Sequence, residues 1–360
     1  IHRGITTESA AKRFFRPQLS DLINPFLMKD MDIAVDRLND AMGRKERILI
    51  YGDYDVDGCT AVALVYKFLQ QFYSNIDYYI PDRYDEGYGV SLKGIDFAHE
   101  TGVKLIIILD CGIKAIKEIE YAKSLGIDFI ICDHHVPDDV MPPAVAILNP
   151  KRPDDSFPFK HLCGCGVGFK FMQAFAKNNN IPFSRLIPLL DFCAVSIAAD
   201  IVPVIDENRI LAFHGLKQLN TNPNIGLKSI IDICGLTGRE ISMSDIVFKI
   251  GEGVYYFDVN LGEGTITATK VETMGIIGGF NNWGDDAVMT WNAEEYCFEA
   301  TNVGVTADGW KFRVNGGWDI NLGGSLDNLT AGGDNISVAG NTVKLYPTRK
   351  TSENIYCTVK

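Results

Sequence analysis

Four apolar runs punctuate the first two-thirds of the chain, and each stops at ionisable residues. Ile48 to Ile50 leads into Tyr51-Gly52-Asp53-Tyr54-Asp55-Val56-Asp57-Gly58. Ile106 to Leu109 leads into Asp110-Cys111-Gly112, and Phe129 to Ile131 into Cys132-Asp133-His134-His135. Val195 to Ala199 leads into Asp200. Short uninterrupted apolar runs bounded by glycine and charge predict buried strands; the fourth reads as strand or helix. Between them the apolar spacing is helical, over Asp30–Met42, Cys59–Tyr73, Leu92–His99 and Ala115–Ser124. Tyr78–Ile80 and Val145–Leu148 add two short strands. Strand and helix alternate with short links, which predicts a doubly wound parallel sheet.

The helical texture continues over Phe169–Lys177, Leu186–Ala199, Asn208–Leu219, Ile225–Cys234 and Ser244–Ile250. Near the start, Thr7–Ala10 precedes a short helical pattern, with Phe14, Phe15, Leu22 and Phe26 as packing anchors. At Gly251 the texture changes. The remainder is rich in glycine, asparagine and threonine, and holds all the tryptophans, at 283, 291, 310 and 318. Short alternating runs recur at 254–259, 265–271, 296–300, 310–314, 336–338, 342–346 and 355–359, separated by turn residues. The fold class is therefore α/β, a doubly wound parallel sheet over residues 1–250, followed by an all-β sandwich over residues 251–360.

Composition narrows the function. A formal net charge of -12 and a pI near 5.0 argue against a general polyanion-binding surface, while a local basic groove remains compatible. The 9 cysteines form no C-x-x-C pair and lie mostly in apolar runs or glycine turns. They read as reduced, buried thiols, which points to a cytoplasmic setting for the first part. No stretch of transmembrane length is free of charges, so no integral membrane segment is expected. The chain opens at Ile1 without a methionine or signal-like segment and reads as a fragment or a processed product.

The ends of parallel strands share one edge of a sheet, where open α/β sheets bind ligands. Asp55, Asp57, Asp110, His134, His135 and Asp200 are thus expected to converge. Closely spaced carboxylates repel one another unless a cation neutralises them. A carboxylate–imidazole mixture suits Mn2+ or another first-row metal, and two such ions form a clamp for phosphoryl chemistry. In Pro81–Val90, Arg83 suits either a phosphate contact or an ion pair with Asp82, Asp85 or Glu86. The glycine-dense Leu162–Gly168 precedes a helix. Amides there, at Gly164 and Gly166 in particular, suit a phosphate cradle, and close helix packing explains the glycines as well.

These motifs in this order, Tyr51–Gly58, Asp110–Gly112, Asp133–His135, Leu162–Lys170 and Ala198–Asp200, resemble the N-terminal part of RecJ-type single-strand-specific 5′ exonucleases of the DHH phosphoesterase superfamily. The resemblance implies a centre of two divalent ions, Mn2+ or Mg2+. Asp55 and Asp110 would hold one ion, and Asp57, Asp110, His134 and Asp200 the other. Asp110 would bridge, His135 would face the scissile phosphate, and Asp53 and Asp133 would be auxiliary or outer ligands. The implied activity is hydrolysis of single-stranded DNA, as in DNA repair and recombination, without a covalent enzyme intermediate. Short oligonucleotides or cyclic dinucleotides are the rival substrates. Many superfamily members carry histidine at the position of Tyr51, so the first metal site is expected to be weaker here or to use Asp53. The family's second substrate-binding domain does not follow Ile250, which implies a cleft lacking one wall and impaired processive digestion.

Residues from about 253 to 360 resemble a C-terminal module of the SusE/SusF outer-membrane starch-binding lipoproteins. The matching stretches are Gly253–Phe257, Gly275–Trp283, Met289–Asn292 and Trp310–Asn315. This resemblance implies non-catalytic binding of an α-glucan. Trp283 and Trp318 are the platform candidates, with Lys311, Arg313 and Asn315 as donors; Trp291 and Trp310 read as core. The two resemblances point to different compartments, one cytoplasmic and one exported, so the join reads as a chimera or a rearranged chain.

Overall fold

In the computed structural model the apolar runs become neighbouring strands of one sheet. β1 (Arg47–Gly52), β2 (Ile76–Tyr79), β3 (Val103–Leu109), β4 (Asp128–Cys132) and β5 (Ala146–Leu148) pair in the order β2-β1-β3-β4-β5. All four pairings are parallel. The structure describes residues 7–8, 14–243, 255–260, 265–292, 295, 297–347 and 355–360. Contacts group into two units, Ile1–Ile250 and Gly251–Lys360.

Helices α1 (Met31–Gly43), α2 (Val56–Leu69), α3 (Leu92–Glu100), α4 (Ile116–Ser124) and α5 (Gly164–Asn178) flank the sheet, and α6 (Leu190–Ala199), α7 (Asp206–Thr221) and α8 (Ile225–Ile233) follow. Alternate strand residues point to opposite faces. Ile48, Ile50, Leu105, Ile107, Leu109, Ile130 and Cys132 join α1, α2, α5 and α6 in one core. Leu49, Tyr51, Ile106, Ile108, Phe129 and Ile131 join α3 and α4 in a second core on the other face. Both faces are covered, so the inner strands carry unbroken apolar runs, Ile48–Ile50, Leu105–Leu109 and Phe129–Cys132, and the doubly wound sheet expected from the sequence is present.

Two boundaries differ from the sequence reading. α2 starts at Val56 rather than Cys59, because the Asp55 side chain caps it by accepting the Gly58 N–H at 2.9 Å. Asp57 therefore stands in the first helical turn and not in a loop. α5 starts at Gly164, so the glycine-dense stretch is itself helix, five residues ahead of Phe169. The run before Asp200, which the sequence left as strand or helix, is helical. The helical reading of Ser244–Ile250 lies outside the described residues, as do Ser9, Ala10 and Val254.

The second unit is antiparallel throughout its strand pairs. β6 (Tyr255–Asn260) and β7 (Thr265–Lys270) form a hairpin. β8 (Met274–Gly278), β9 (Ala287–Val288), β12 (Trp310–Val314), β13 (Asn321–Ser325) and β14 (Asn328–Ala331) form one sheet, ordered β14-β13-β12-β8-β9. β10 (Thr290–Asn292), β11 (Cys297–Val305), β15 (Gly340–Tyr346) and β16 (Tyr356–Val359) form another, ordered β10-β11-β15-β16. Ile276, Phe298, Trp310, Phe312, Val343 and Leu345 fill the core between them, giving the sandwich-like arrangement expected. The run at Ile336 is reduced to a single bridge with Trp310. Among the described residues no helix is long and apolar enough to cross a membrane.

Candidate metal centre

The strand order reverses direction between β1 and β3, and the crevice of such a sheet opens at their C-terminal ends. Asp53 and Asp55 follow β1, Asp110 follows β3 and Asp133-His134-His135 follows β4. Asp110 adopts a left-handed backbone with φ 62, sparsely populated for a residue with a Cβ. Its N–H is held by the Cys132 carbonyl at 2.9 Å. The strain is thus anchored by the sheet ladder just beyond the strand end.

Three overlapping groups form there: Asp53, Asp55 and Asp110; Asp57, His134 and Asp200; and Asp110, His134 and His135, each with ligand atoms within 4.8 Å of one another. His134 Nε2 lies 3.2 Å from Asp110 Oδ1 and 3.8 Å from Asp57 Oδ2, and its Nδ1 lies 3.7 Å from Asp200 Oδ2. Asp53 Oδ1, Asp110 Oδ1 and His134 Nδ1 are buried without a hydrogen-bond partner. Buried polar atoms are normally paired, so three orphans within these groups call for a ligand. Burial, then the charges of Asp57, Asp55, Asp133 and Asp200, pushes the Asp110 carboxyl far above the usual carboxylate range. Burial likewise raises Asp53, with the charge of Asp55 adding to it. Oxygen and imidazole donors with unrelieved negative charge fit a divalent first-row ion or Mg2+.

Asp133 is used differently. Its carboxylate accepts the N–H groups of Ile113, His134 and His135 and the ring Nδ1 of His135 at 2.8 Å. Burial opposes its ionisation, but the His135 hydrogen bond and charge outweigh this and hold the carboxyl below its usual range. The same hydrogen bond raises His135. Nε2 of His135 lies 3.3 Å from the Tyr88 hydroxyl, on the exposed side of the cluster.

Asp57 shows where the glycine motif leads. Its Oδ2 accepts the Gly164 N–H and its Oδ1 the Cys165 N–H, both at 2.7 Å, while the Gly166 N–H goes to Cys163 Sγ at 3.3 Å. Burial, with the charge of Asp57, keeps Cys163 a thiol. Gly164 and Gly166 are fully inside the fold. The expectation that their amides cradle a substrate phosphate is therefore corrected: the helix start seats a carboxylate of the protein itself. Gly168 serves close packing, since a Cβ there would meet Leu109 at 3.1 Å and Val65 at 3.2 Å.

Arg83 lies over the Tyr54 ring, 5.3 Å from its centroid. Its acidic neighbours instead build the turn: Asp82 accepts the N–H groups of Tyr84 and Asp85, and Glu86 binds Asp82 N–H, Tyr79 and Ser91. Tyr54 and Tyr88 meet edge to face at 6.4 Å. These two tyrosines were not singled out by the sequence reading, although Tyr54 sits between two of the aspartates. Tyr51 does not face the cluster. It stacks on Tyr79 in the second core, and its hydroxyl donates to Gly89 O at 3.0 Å and accepts the Ser91 N–H at 3.0 Å. Position 51 thus supplies no ligand, and Asp53 stands with Asp55 and Asp110 instead.

In the second unit Trp283 and Trp318 are 40% and 50% exposed, with ring centroids 6.2 Å apart and planes 30° apart. Arg313 lies 5.2 Å from the Trp318 ring and donates to Asp286 at 2.6 Å, and Lys311 donates to Asn321 at 3.1 Å. Asn315 is corrected as a ligand donor. Its side chain accepts the N–H groups of Glu272 and Thr273 and donates to Lys270 O at 2.8 Å, so it is spent on closing a turn. Trp310 is fully buried, and Trp291 packs on Phe298 at 5.0 Å.

The model of the DHH family, N-terminal domain, matches residues 47–197. The chain is 41% identical over 250 residues to the single-stranded-DNA-specific exonuclease RecJ of Bacillus subtilis, covering 69% of this chain and 31% of that protein. It is 36% identical over 235 residues to the RecJ of Escherichia coli, covering 62% and 41%. The crystal structure of exonuclease RecJ bound to manganese aligns with TM-score 0.57 and 29% identity, covering 65% of this chain and 57% of that one. RecJ from Thermus thermophilus in complex with Mn2+ aligns with TM-score 0.56 and 27% identity, covering 66% and 33%. The chain thus spans less than half the length of these two curated relatives. Its N-terminal domain resembles the DHH phosphoesterase domain of RecJ-family exonucleases, and a divalent-metal cofactor and a metal-dependent phosphoesterase-type activity are supported at that level. None of this supports the starch-binding resemblance of residues 253–360 or an outer-membrane-associated address.

Proposed function

We propose that residues 1–250 hydrolyse phosphodiesters of single-stranded DNA from a 5′ end, with two divalent ions, Mn2+ or Mg2+, held by Asp53, Asp55, Asp57, Asp110, His134 and Asp200. The observation that carries this reading is the convergence of these side chains with three orphaned buried donor atoms at the reversal of strand order. Two ligand groups, one around Asp53 and Asp55 and one around Asp57 and Asp200, favour two ions with Asp110 shared. Bound there, the metal supplies Lewis-acid polarisation and a water of lowered pKa. The protein does the rest. Asp133 orients His135, whose exposed Nε2 is the group placed to donate to a phosphate oxygen. Arg83, resting on Tyr54, offers a second cationic contact, and Tyr54 and Tyr88 supply aromatic surface on which an unpaired base stacks. A cytoplasmic nuclease-like domain is consistent with this reading.

The test uses 5′- and 3′-labelled single strands of several lengths, duplexes and cyclic dinucleotides with Mn2+. Release of nucleotides from the 5′ end of long single strands, abolished by EDTA and by Asp110→Ala, is the expected result. Cleavage confined to strands of a few nucleotides or to cyclic dinucleotides would replace the exonuclease reading with the small-substrate one. A rate unchanged in Asp110→Ala would remove the metal mechanism.

A second reading rests on the paired exposed rings of Trp283 and Trp318, which suit the apolar face of a sugar such as an α-glucan. Trp318→Ala then abolishes retention on an α-glucan matrix without lowering the melting temperature. No retention of the unaltered chain removes this reading.

A further inference from the structure

Ser196 is a fully buried polar residue within the apolar run Cys193–Ala199 of α6, four residues before Asp200. Its Oγ lies 2.6 Å from Asp57 Oδ1 and 2.8 Å from Cys163 Sγ. A hydroxyl carries one proton, and the carboxylate is the stronger acceptor. Ser196 therefore donates to Asp57, and the Cys163 thiol donates to Ser196. Asp57 then receives three donors, from Ser196 and from the amides of Gly164 and Cys165. An ionised carboxylate offers about four lone-pair directions. Both on Oδ1 are taken, and one on Oδ2 remains. That oxygen is the one 3.8 Å from His134 Nε2, on the cluster side.

We propose that Ser196 is a positioning residue that, with the first amides of α5, restricts Asp57 to a single metal bond through Oδ2. This rests on the metal-dependent reading above. Without the hydroxyl, Oδ1 regains a free lone pair. The carboxylate then gains freedom to turn about its seat, which weakens the one bond it offers. Groups that orient a metal ligand are commonly worth about 10-fold or more in affinity. Ser196 sits in a position that local apolar periodicity assigns to packing; the signal in the sequence is only that it interrupts the run Cys193–Ala199.

The experiment is a Mn2+ titration of the full chain, followed by the electron paramagnetic resonance of free Mn2+ and by calorimetry. Wild type, Ser196→Ala and Ser196→Cys are compared, with melting temperatures in EDTA alongside. The expected order of affinity is wild type, then Cys, then Ala, with Ser196→Ala weaker by about 10-fold and its metal-free melting temperature maintained. A purely structural serine would lower the melting temperature and leave the isotherm alone. Mn2+ uptake by wild type that Ser196→Ala matches overturns this inference alone. Absence of uptake by wild type overturns the metal-dependent reading and this inference with it.

Discussion

Gly164→Ala is expected to damage a metal site that alanine never touches in sequence. Gly164 is the first residue of α5, where propensity alone favours alanine by up to about 1 kcal/mol. The structure opposes this. A Cβ at Gly164 would stand 2.4 Å from Asp110 Oδ1 and 2.5 Å from Asp110 Cβ. Asp110 has little room to retreat, since its backbone is held at φ 62 and its N–H is bonded across the sheet. Overpacking of this kind costs about 1–3 kcal/mol, so the net loss is up to about 2 kcal/mol once propensity is offset. For a unit of this size that is a fall of up to about 8 °C in melting temperature. Because the displaced atom is a ligand atom, Mn2+ affinity falls with stability. Gly166→Ala is the control: its Cβ would meet Cys163 Sγ and Leu162 at 3.3 Å, a contact that small shifts relieve. Thermal melts in EDTA and Mn2+ titrations of both variants are the assays. A Gly164→Ala chain that melts higher and binds Mn2+ normally would refute the seating of Asp110 against α5. Normal metal binding with weakened oligonucleotide binding would restore the phosphate-cradle reading.

Three further outcomes are expected. His135 is raised and Asp133 lowered by their mutual hydrogen bond. The raised histidine stabilises below about pH 6.5 and loses this as pH rises, while the lowered carboxylate stabilises above about pH 4. The metal-free chain should therefore gain from this pair between those limits and lose the gain toward pH 8, modestly because His135 is half exposed; His135→Gln should flatten that part of the melting profile. Tyr51→Phe strands the Gly89 carbonyl and the Ser91 N–H and should cost about 1–3 kcal/mol in denaturant titration, with Mn2+ affinity retained. Lys170 and Glu207 form a fully buried pair at 2.9 Å that also grips Ile23, so Lys170→Met alone should cost about 3–5 kcal/mol, and Lys170→Met with Glu207→Leu much less.

The sandwich-like second unit and the α/β first unit were both legible because burial leaves a local record. Strands covered on both faces are apolar without break, as in Leu105–Leu109, and strands covered on one face alternate, as in Trp310–Val314. Ends of elements were less legible. Gly164–Gly168 is poor helix-forming sequence, and only the close approach of Asp110, Leu109 and Val65 explains why glycine is tolerated there.

The candidate site divides the same way. That Asp55, Asp57, Asp110, His134, His135 and Asp200 belong together could be argued from their place after apolar runs, because strand ends in a parallel sheet share an edge, although Asp200 in fact follows a helix. What each does could not. Three aspartates at alternate positions look alike in sequence. In the fold Asp53 buries an unpaired Oδ1, Asp55 caps α2, and Asp57 is seated on α5 and Ser196 more than a hundred residues away. Likewise Arg83 rests on Tyr54 and Asn315 closes a turn. Local pattern records which face of an element is hidden from water. It carries no record of what stands opposite that face, because that follows from the order in which distant strands pair and the helices that then come to lie across them.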